Sequence, residues 1–291
     1  MTSPEISVII PVFTAEPLAL CLEALEQQTL PRQAYEVIVV DNGAADTLAA
    51  IVARFPRVRV LRETTVGSYA ARNTGAREAR GEMLAFADAD CIPDPGWLAA
   101  GREALAGGPE SSVVGGRVTL FWHGESPTPW ELYDSLVAFN QEVLIRTRHY
   151  GVTANLFVRK KVFAAVGPFN QALLSGGDRD WGHRAVALGC DLRYCPAAEV
   201  RHPARASLAE LNAKHRRLIG GAWRSSPHPF RLFCKAPLLE LRDIFYFTWV
   251  LWCRRELGAT QLARIWAVHL HISGRRLHEY LRLASGGEPR R

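Results

Sequence analysis

The N-terminal part of the chain alternates between short apolar runs and stretches with helical spacing. Four apolar runs, three of them containing β-branched residues, stop at polar residues or proline, which predicts strands within residues 5–13, 35–43, 58–61 and 83–87. Leu18, Leu22 and Leu25 share one face of a predicted helix, and a second helix is predicted from Gly67 to Arg77. Strands that alternate with helices form a parallel sheet covered by helices, so the pattern predicts an α/β fold.

The fourth apolar run leads directly into two carboxylates. Asp88 and Asp90 follow it, and Pro93 ends the segment. Open α/β sheets bind ligands at the carboxyl ends of their strands. Two carboxylates placed there offer oxygen ligands to a hard divalent cation that also holds phosphate oxygens. The sequence therefore predicts a site for a metal diphosphate. The alternative is that both acids only end the strand and cap the next turn.

The predicted helix from Gly67 to Arg77 adds a preference for phosphate. It opens on a glycine and should direct its N-terminus toward the same edge of the sheet. Helix N-termini and arginines such as Arg72 both favour phosphate groups.

Several ordered segments together resemble a known family. They are Val8–Phe13, Val39–Gly43, Ala71–Gly75 and Phe86–Asp90, followed by residues 153–157, 163–169 and 175–181. In this order and at these spacings they resemble the family 2 glycosyltransferases, over residues 5–205. The resemblance implies a GT-A fold, a Rossmann-like mixed sheet flanked by helices. It also implies inverting transfer of a sugar from a nucleotide-sugar donor.

The resemblance further implies a set of donor-site residues. Mn²⁺ or Mg²⁺ would be held by Asp90, with Asp88 on the ribose or a second metal position. His202 could return to the metal and diphosphate, although a structural histidine is the alternative. Nucleotide-sugar contacts are expected from Pro11, Phe13, Asp41, Gly67, Arg72, Asn73, Asp88 and Ala89. UDP is the expected nucleotide, with Asp41 near the base.

Inverting transfer also requires a general base that removes the proton of the acceptor hydroxyl. The Glu-Asp motif of the similar family aligns with Gly177-Asp178, so Asp178 aligns with the base and Gly177 replaces the glutamate. Asp180 would be the base if the alignment with this motif were shifted by two residues. The alternative for Asp178 is a purely structural role as the N-cap of a helix. The expected acceptor side comprises Asn155, Gly177, Asp180 and Trp181. Trp181 offers either a stacking face for a sugar or a core side chain.

The middle of the chain predicts a long helix. Thr128-Pro129-Trp130-Glu131 has the form of a capping box with proline in the first turn, and the helix is expected to run to about Arg146. A strand is predicted before it at residues 115–118. Residues 1–225 are expected to form the GT-A catalytic domain, and residues 226–291 a basic, aromatic-rich helical tail.

Charge is concentrated in the C-terminal part. Residues 201–291 hold 17 Lys and Arg against 6 Asp and Glu, whereas residues 1–200 hold 18 against 23. The aromatic run 244–253, followed by Arg254 and Arg255, is too short to span a bilayer, and an amphipathic helix is predicted at 261–283. Such segments favour peripheral contact with a membrane surface over nucleic acid. Packing of both helices on the catalytic domain is the alternative.

Composition limits the remaining classes of function. The six cysteines show no zinc spacing, so free thiols are expected, and no export signal precedes the first strand, which favours the cytoplasmic face of a membrane. No G-x-G-x-x-G follows a strand, which argues against a dinucleotide oxidoreductase. A nucleotidyltransferase-like enzyme and an inactive membrane-surface scaffold remain open. The expected acceptor is a glycan or a lipid-linked molecule.

Overall fold

The computed structural model describes residues 3–173, 175–254 and 257–289, apart from the side chains of residues 45 and 46. Arg255, predicted to join the basic tail, lies outside the described residues. The chain forms two compact units. The first contains residues 1–120, 139–172 and 177–202, and the second contains residues 121–138, 173–176 and 203–291.

The first unit is built on an eight-stranded sheet within the described residues. The strands are β1 (Ile6–Val12), β2 (Tyr35–Asp41), β3 (Val58–Arg62), β4 (Met83–Ala87), β5 (Ile92–Pro93), β6 (Ser112–Phe121), β7 (Asn155–Arg159) and β8 (Asp191–Pro203), in the order β3-β2-β1-β4-β7-β6-β8-β5. β3, β2, β1 and β4 run parallel, whereas β7 pairs antiparallel with β4 and β6. The parallel half confirms the predicted β-α units.

Helices cover this sheet. They are α1 (Leu18–Glu26), α2 (Ala45–Val52), α3 (Ser68–Glu78), α4 (Trp97–Ala106), α6 (Gln141–Arg148), α7 (Lys160–Val166) and α8 (Gly177–Ala187), while α5 (Pro129–Val137) belongs to the second unit. α3 packs closely on β1, because a Cβ at Gly75 would lie 2.5 Å from the side chain of Ile9. This close approach holds α3 against β1.

The helix expected over residues 128–146 is broken. Its start is as predicted, since Thr128 and Glu131 form the capping box of α5. α5 ends at Val137, Phe139 adopts a positive φ of 51°, and Asn140 caps α6 by accepting a hydrogen bond from the Val143 amide. An asparagine offers the backbone a cap in place of a continued helix, which explains the break.

The second unit is a helical bundle. It contains α5, α9 (Leu208–Ser225), α10 (Pro229–Trp252) and α11 (Ala259–Ala284), so the amphipathic helix predicted at 261–283 is confirmed. Tyr133, Leu211, Phe247 and Ile265 form part of its apolar core. Lys214 lies 2.6 Å from the fully buried carboxylate of Asp134. Among the described residues, no helix combines the length and hydropathy needed to cross a membrane.

Candidate active site

Three predicted ligands meet at the carboxyl end of β4. The ligating atoms of Asp88, Asp90 and His202 all lie within 4.8 Å of one another, and His202 Nε2 is 3.4 Å from Asp90 Oδ1. The pairing of Ile92 with Arg201 brings the end of β8 beside the residues that follow β4. His202 is buried and packs on Phe139, with ring centroids 4.6 Å apart.

The chemistry of this cluster fits a divalent cation. Two carboxylates and one imidazole match the ligand preferences of Mn²⁺, and Mg²⁺ accepts the same oxygens. Both carboxylates are about one-third exposed, at 31% and 33%, which leaves space for ligands from a substrate. The Cys21 and Cys91 thiols lie beneath them. Burial, and next the nearby carboxylates, raise the pKa of both thiols, which favours their protonated form.

Arg72 joins this cluster from α3. Its buried guanidinium forms an ion pair with Asp88 and lies 5.8 Å from the ring centroid of Tyr69. The sequence predicted a phosphate or base contact for Arg72. In the structure its partner is the metal-site carboxylate, and this contact holds Asp88 in place.

The predicted base lies at the start of α8. Asp178 is the second residue of this helix and therefore not its N-cap. Its Oδ1 accepts hydrogen bonds from the Arg179 amide at 2.9 Å and from the Tyr69 hydroxyl at 3.3 Å. Desolvation by burial raises the pKa of the Asp178 carboxyl, against the opposing effects of these bonds and of Arg72.

Asp180 points away from this arrangement. Two residues on a helix are separated by about 200° around its axis. Accordingly Asp180 pairs with Arg184 at 3.2 Å, while Asp178 faces Tyr69. Gly177 begins α8 directly against the ring of Tyr69.

Three predicted donor-site residues line the same edge of the sheet. Phe13 follows β1 and is 53% exposed, and Asp41 ends β2 with Oδ1 accepting the amides of residues 43 and 44. Gly67 precedes α3 and donates its amide to Asn42 Oδ1 at 2.8 Å. Ala89 lies partly exposed between the two acids of the metal cluster.

Asn42 was not among the predicted site residues. Its side-chain amide also donates to the carbonyls of Glu63 and Thr65, so this asparagine joins the loop after β2 to the loop between β3 and α3. The sequence offered only its place after Asp41 at a strand end as a signal.

Four of the predicted site residues have buried side chains. Trp181 is 1% exposed and stacks on Phe163 in the core, so it offers no face to a sugar. The fully buried side chain of Asn155 bonds to Trp97 and to the carbonyls of Arg117 and Ala198, so it cannot contact an acceptor. Asn73 uses both ends of its amide on the backbone of Phe169, and Pro11 is buried within β1, so neither side chain is offered to a nucleotide.

Comparison with known proteins identifies the family. The model of glycosyl transferase family 2 matches residues 7–167. The chain belongs to this family. It is 40% identical over 210 residues to the glycosyltransferase AglE of Haloferax volcanii, covering 70% of this chain and 68% of that protein.

Other family members extend the match. The pre-mycofactocin glycosyltransferase of Mycobacterium tuberculosis is 30% identical over 260 residues, which cover 85% of this chain and about half, 53%, of that protein. The mannosyltransferase PcManGT from Pyrobaculum calidifontis, solved with GDP-Man and Mn²⁺, superposes with a TM-score of 0.58 at 19% identity, covering 99% of this chain and 78% of that one. The predicted GT-A fold is therefore confirmed, and this family 2 protein is a glycosyltransferase.

Proposed function

We propose that the protein transfers a sugar with inversion from a nucleotide-sugar to a hydroxyl group of its acceptor, with Asp178 as general base. The observation that carries this proposal is the arrangement around α3. Tyr69 and Arg72, three residues apart on one face of this helix, contact the carboxylate of Asp178 and that of Asp88, respectively. This link between the two carboxylates supports the proposal, because inverting transfer needs a base for the acceptor hydroxyl and charge stabilisation for the leaving group.

Each group then has a defined task. Asp88, Asp90 and His202 would hold the divalent cation. When bound, this cation would supply charge stabilisation to the departing nucleoside diphosphate. Asp178 removes the proton of the acceptor hydroxyl as that oxygen attacks the anomeric carbon. Because burial raises its pKa, Asp178 is a stronger base than an exposed aspartate.

The donor is proposed to be a UDP-sugar. Phe13 presents an exposed ring beside Gly43, two residues after Asp41, an arrangement suited to stacking on a base and accepting its N–H groups. GDP-sugars are the first alternative, because the Pyrobaculum structure carries GDP-Man. Nucleotide choice and sugar choice are separate questions that one screen addresses.

The experiment is a mass-spectrometric screen of nucleotide-sugars with Mn²⁺ and with Mg²⁺. Release of nucleoside diphosphate together with free sugar or glycoside supports the proposal. Release of pyrophosphate from a sugar phosphate and a nucleoside triphosphate would instead indicate a nucleotidyltransferase. An absence of turnover combined with membrane binding would indicate a scaffold.

The second unit supports a membrane-proximal acceptor. α10 exposes an apolar row at spacings of three and four residues, formed by Leu238, Leu241, Phe245, Trp249 and Trp252, which we call the aromatic stripe. Trp252 is 83% exposed. These residues fall within one narrow sector of a helix.

Charge is segregated on the same helix. The basic residues Arg231, Lys235 and Arg242 are exposed, whereas the two acids of α10, Glu240 and Asp243, both pair with Arg276 of α11. The outward side of α10 is therefore apolar and positively charged, which is the chemistry of an interfacial helix on anionic lipid. We propose peripheral binding at the cytoplasmic face of a membrane and a lipid-linked acceptor, with a soluble glycan as the alternative acceptor.

A further inference from the structure

Tyr69 occupies an unusual position beside the proposed base. Its hydroxyl lies 3.3 Å from Asp178 Oδ1, and its ring is buried with the Phe169 ring centroid 5.7 Å away. The mechanism proposed above assigns no chemical step to this tyrosine. A buried hydroxyl aimed at a carboxylate nevertheless determines where that carboxylate points.

The absence of a side chain at Gly177 explains how the Tyr69 ring can lie beside Asp178. A Cβ at residue 177 would lie 2.6 Å from Cε2 and 2.7 Å from Cδ2 of the Tyr69 ring, which no side chain at 177 could tolerate without moving the ring. Residue 177 is also where the similar family was expected to place a glutamate. In this chain the Tyr69 ring fills the space beside the base, and glycine is the residue compatible with it.

We propose that Tyr69 is a positioning residue for Asp178, and that the glycine at position 177 leaves the space that the Tyr69 ring occupies. This inference rests on the proposed role of Asp178. Within the described part of the chain, the hydrogen bonds that the carboxylate accepts from the Tyr69 hydroxyl and from the Arg179 amide end on Oδ1. The arrangement therefore assigns proton acceptance from the acceptor to Oδ2.

The electrostatic surroundings favour the Tyr69 hydroxyl as the donor in this contact. Burial, and next the charge of Asp178, raise the pKa of the Tyr69 hydroxyl well above its usual value, so Tyr69 remains a donor. Tyr69 and Arg72 reach Asp178 from α3, Tyr150 approaches it from the segment before β7, and Arg179 neighbours it on α8. A donor to the ionised carboxylate lowers its pKa, so loss of the hydroxyl should raise that pKa.

The test is Tyr69→Phe, which keeps the ring and removes the hydroxyl. We expect kcat for transfer to fall about 10- to 100-fold, the usual effect of one hydrogen bond to a charged group. The acidic limb of the pH profile of kcat/KM should move to higher pH, while donor affinity stays unchanged. Tyr35→Phe is the matched control, because it also removes a buried hydroxyl, which donates to the Leu25 carbonyl. Tyr35 begins β2, whereas Asp41 of the predicted donor site ends it. Tyr35→Phe should leave the profile unmoved.

A double-mutant cycle tests the role of Gly177. Gly177→Ala should lower the rate in the wild-type background, because the new methyl group displaces the Tyr69 ring. In a Tyr69→Ala background the same change should cause little further loss. Additive losses from the two changes, in proteins with ordinary thermal melts, would overturn the proposed pairing.

Asp178→Asn separates failure of the inference from failure of the proposed function. If Asp178→Asn is impaired while Tyr69→Phe keeps both the rate and the pH profile of the wild type, the positioning role is wrong and the base stands. If Asp178→Asn transfers sugar normally, the assigned base is wrong and the role of Tyr69 fails with it.

Discussion

Arg72 and Asp88 form an ion pair in which the guanidinium is buried and the carboxylate is partly exposed. The buried partner sets the geometry of the exposed one, because the Arg72 side chain is enclosed by protein and has little freedom. Arg72 thus connects α3, the helix that carries Tyr69, with the group of candidate metal ligands at the end of β4.

Arg72→Lys tests whether this geometry matters beyond charge. A lysine keeps the positive charge but lacks the planar fork that orients a carboxylate. We expect kcat/KM and the affinity for Mn²⁺ each to fall by about 10-fold or more, the scale seen when a partner that orients a metal ligand is removed. Mn²⁺ titration and steady-state kinetics measure these effects. Wild-type values for the Arg72→Lys enzyme would show that charge alone suffices.

His202→Ala tests the third member of the metal cluster. Loss of the imidazole should weaken Mn²⁺ binding by at least about 10-fold, because only the two carboxylates would remain. His278→Ala is the matched control, since His278 is an exposed histidine on α11. Equal Mn²⁺ affinities for the two variants in a titration would indicate that His202 is a structural residue.

Asp178→Asn is expected to separate activity from stability. General-base loss should lower transfer by about 10² to 10⁴. Burial raises the folded-state pKa of Asp178 above its ordinary 3.8, so the folded protein binds this proton more tightly than the unfolded chain does. Its contribution to stability is therefore greatest below pH 3.8 and is lost as pH rises through the folded-state pKa.

At pH 7 the free energy of unfolding of Asp178→Asn should accordingly equal or exceed that of the wild type. Denaturant titrations at pH 7 measure this difference, and Asp180→Asn is the control on the other face of α8. A strongly destabilised Asp178→Asn protein would point to a structural aspartate. A large loss of sugar transfer in Asp180→Asn alone would assign the role of general base to Asp180 instead of Asp178.

The aromatic stripe predicts binding to anionic vesicles. Full-length protein should sediment with phosphatidylglycerol-containing vesicles at low salt, and the basic residues should contribute about 1 kcal/mol each. High salt should weaken this part of the binding, since screening shortens its range, and leave a remainder due to aromatic burial.

Trp249→Ser with Trp252→Ser should remove that salt-resistant remainder. Leu188→Ser is the control, because Leu188 is an exposed apolar residue of the first unit. The tryptophan variant should lose transfer to lipid-linked acceptors while retaining hydrolysis of the donor. Protein that stays in the supernatant at low salt would instead make the stripe a surface for protein contacts.

The pattern of apolar residues predicted secondary structure correctly in segments where either the strand or the helix spacing was uninterrupted. The apolar strands before Asp41 and Asp88 and the amphipathic face of α11 all lie where they were predicted. The prediction of one helix over residues 128–146 was wrong because the helical spacing of apolar residues continues across Asn140 in the sequence. In the structure, the Asn140 side chain caps a new helix at that point.

The burial of individual side chains was not visible in the sequence. A motif shows that Asn155 and Trp181 lie in segments that resemble the family, but not that their side chains are buried in the core. The contact between Tyr69 and Gly177 joins residues far apart in the chain, so no local pattern could reveal it. The domain boundary expected after residue 225 remains a prediction, although α9 clusters with α10 and α11.

The most direct test of the proposed activity is the metal dependence of nucleoside diphosphate release by wild-type protein and Asp90→Ala, measured with the donor that the screen identifies. We expect wild-type release to require Mn²⁺ or Mg²⁺ and to stop in excess chelator. Asp90→Ala should remain at background at every metal concentration, with an unchanged thermal melt, because its carboxylate is partly exposed at a strand end. Full release by the wild type in chelator, or a normal rate for Asp90→Ala, would contradict the metal site on which the mechanism depends.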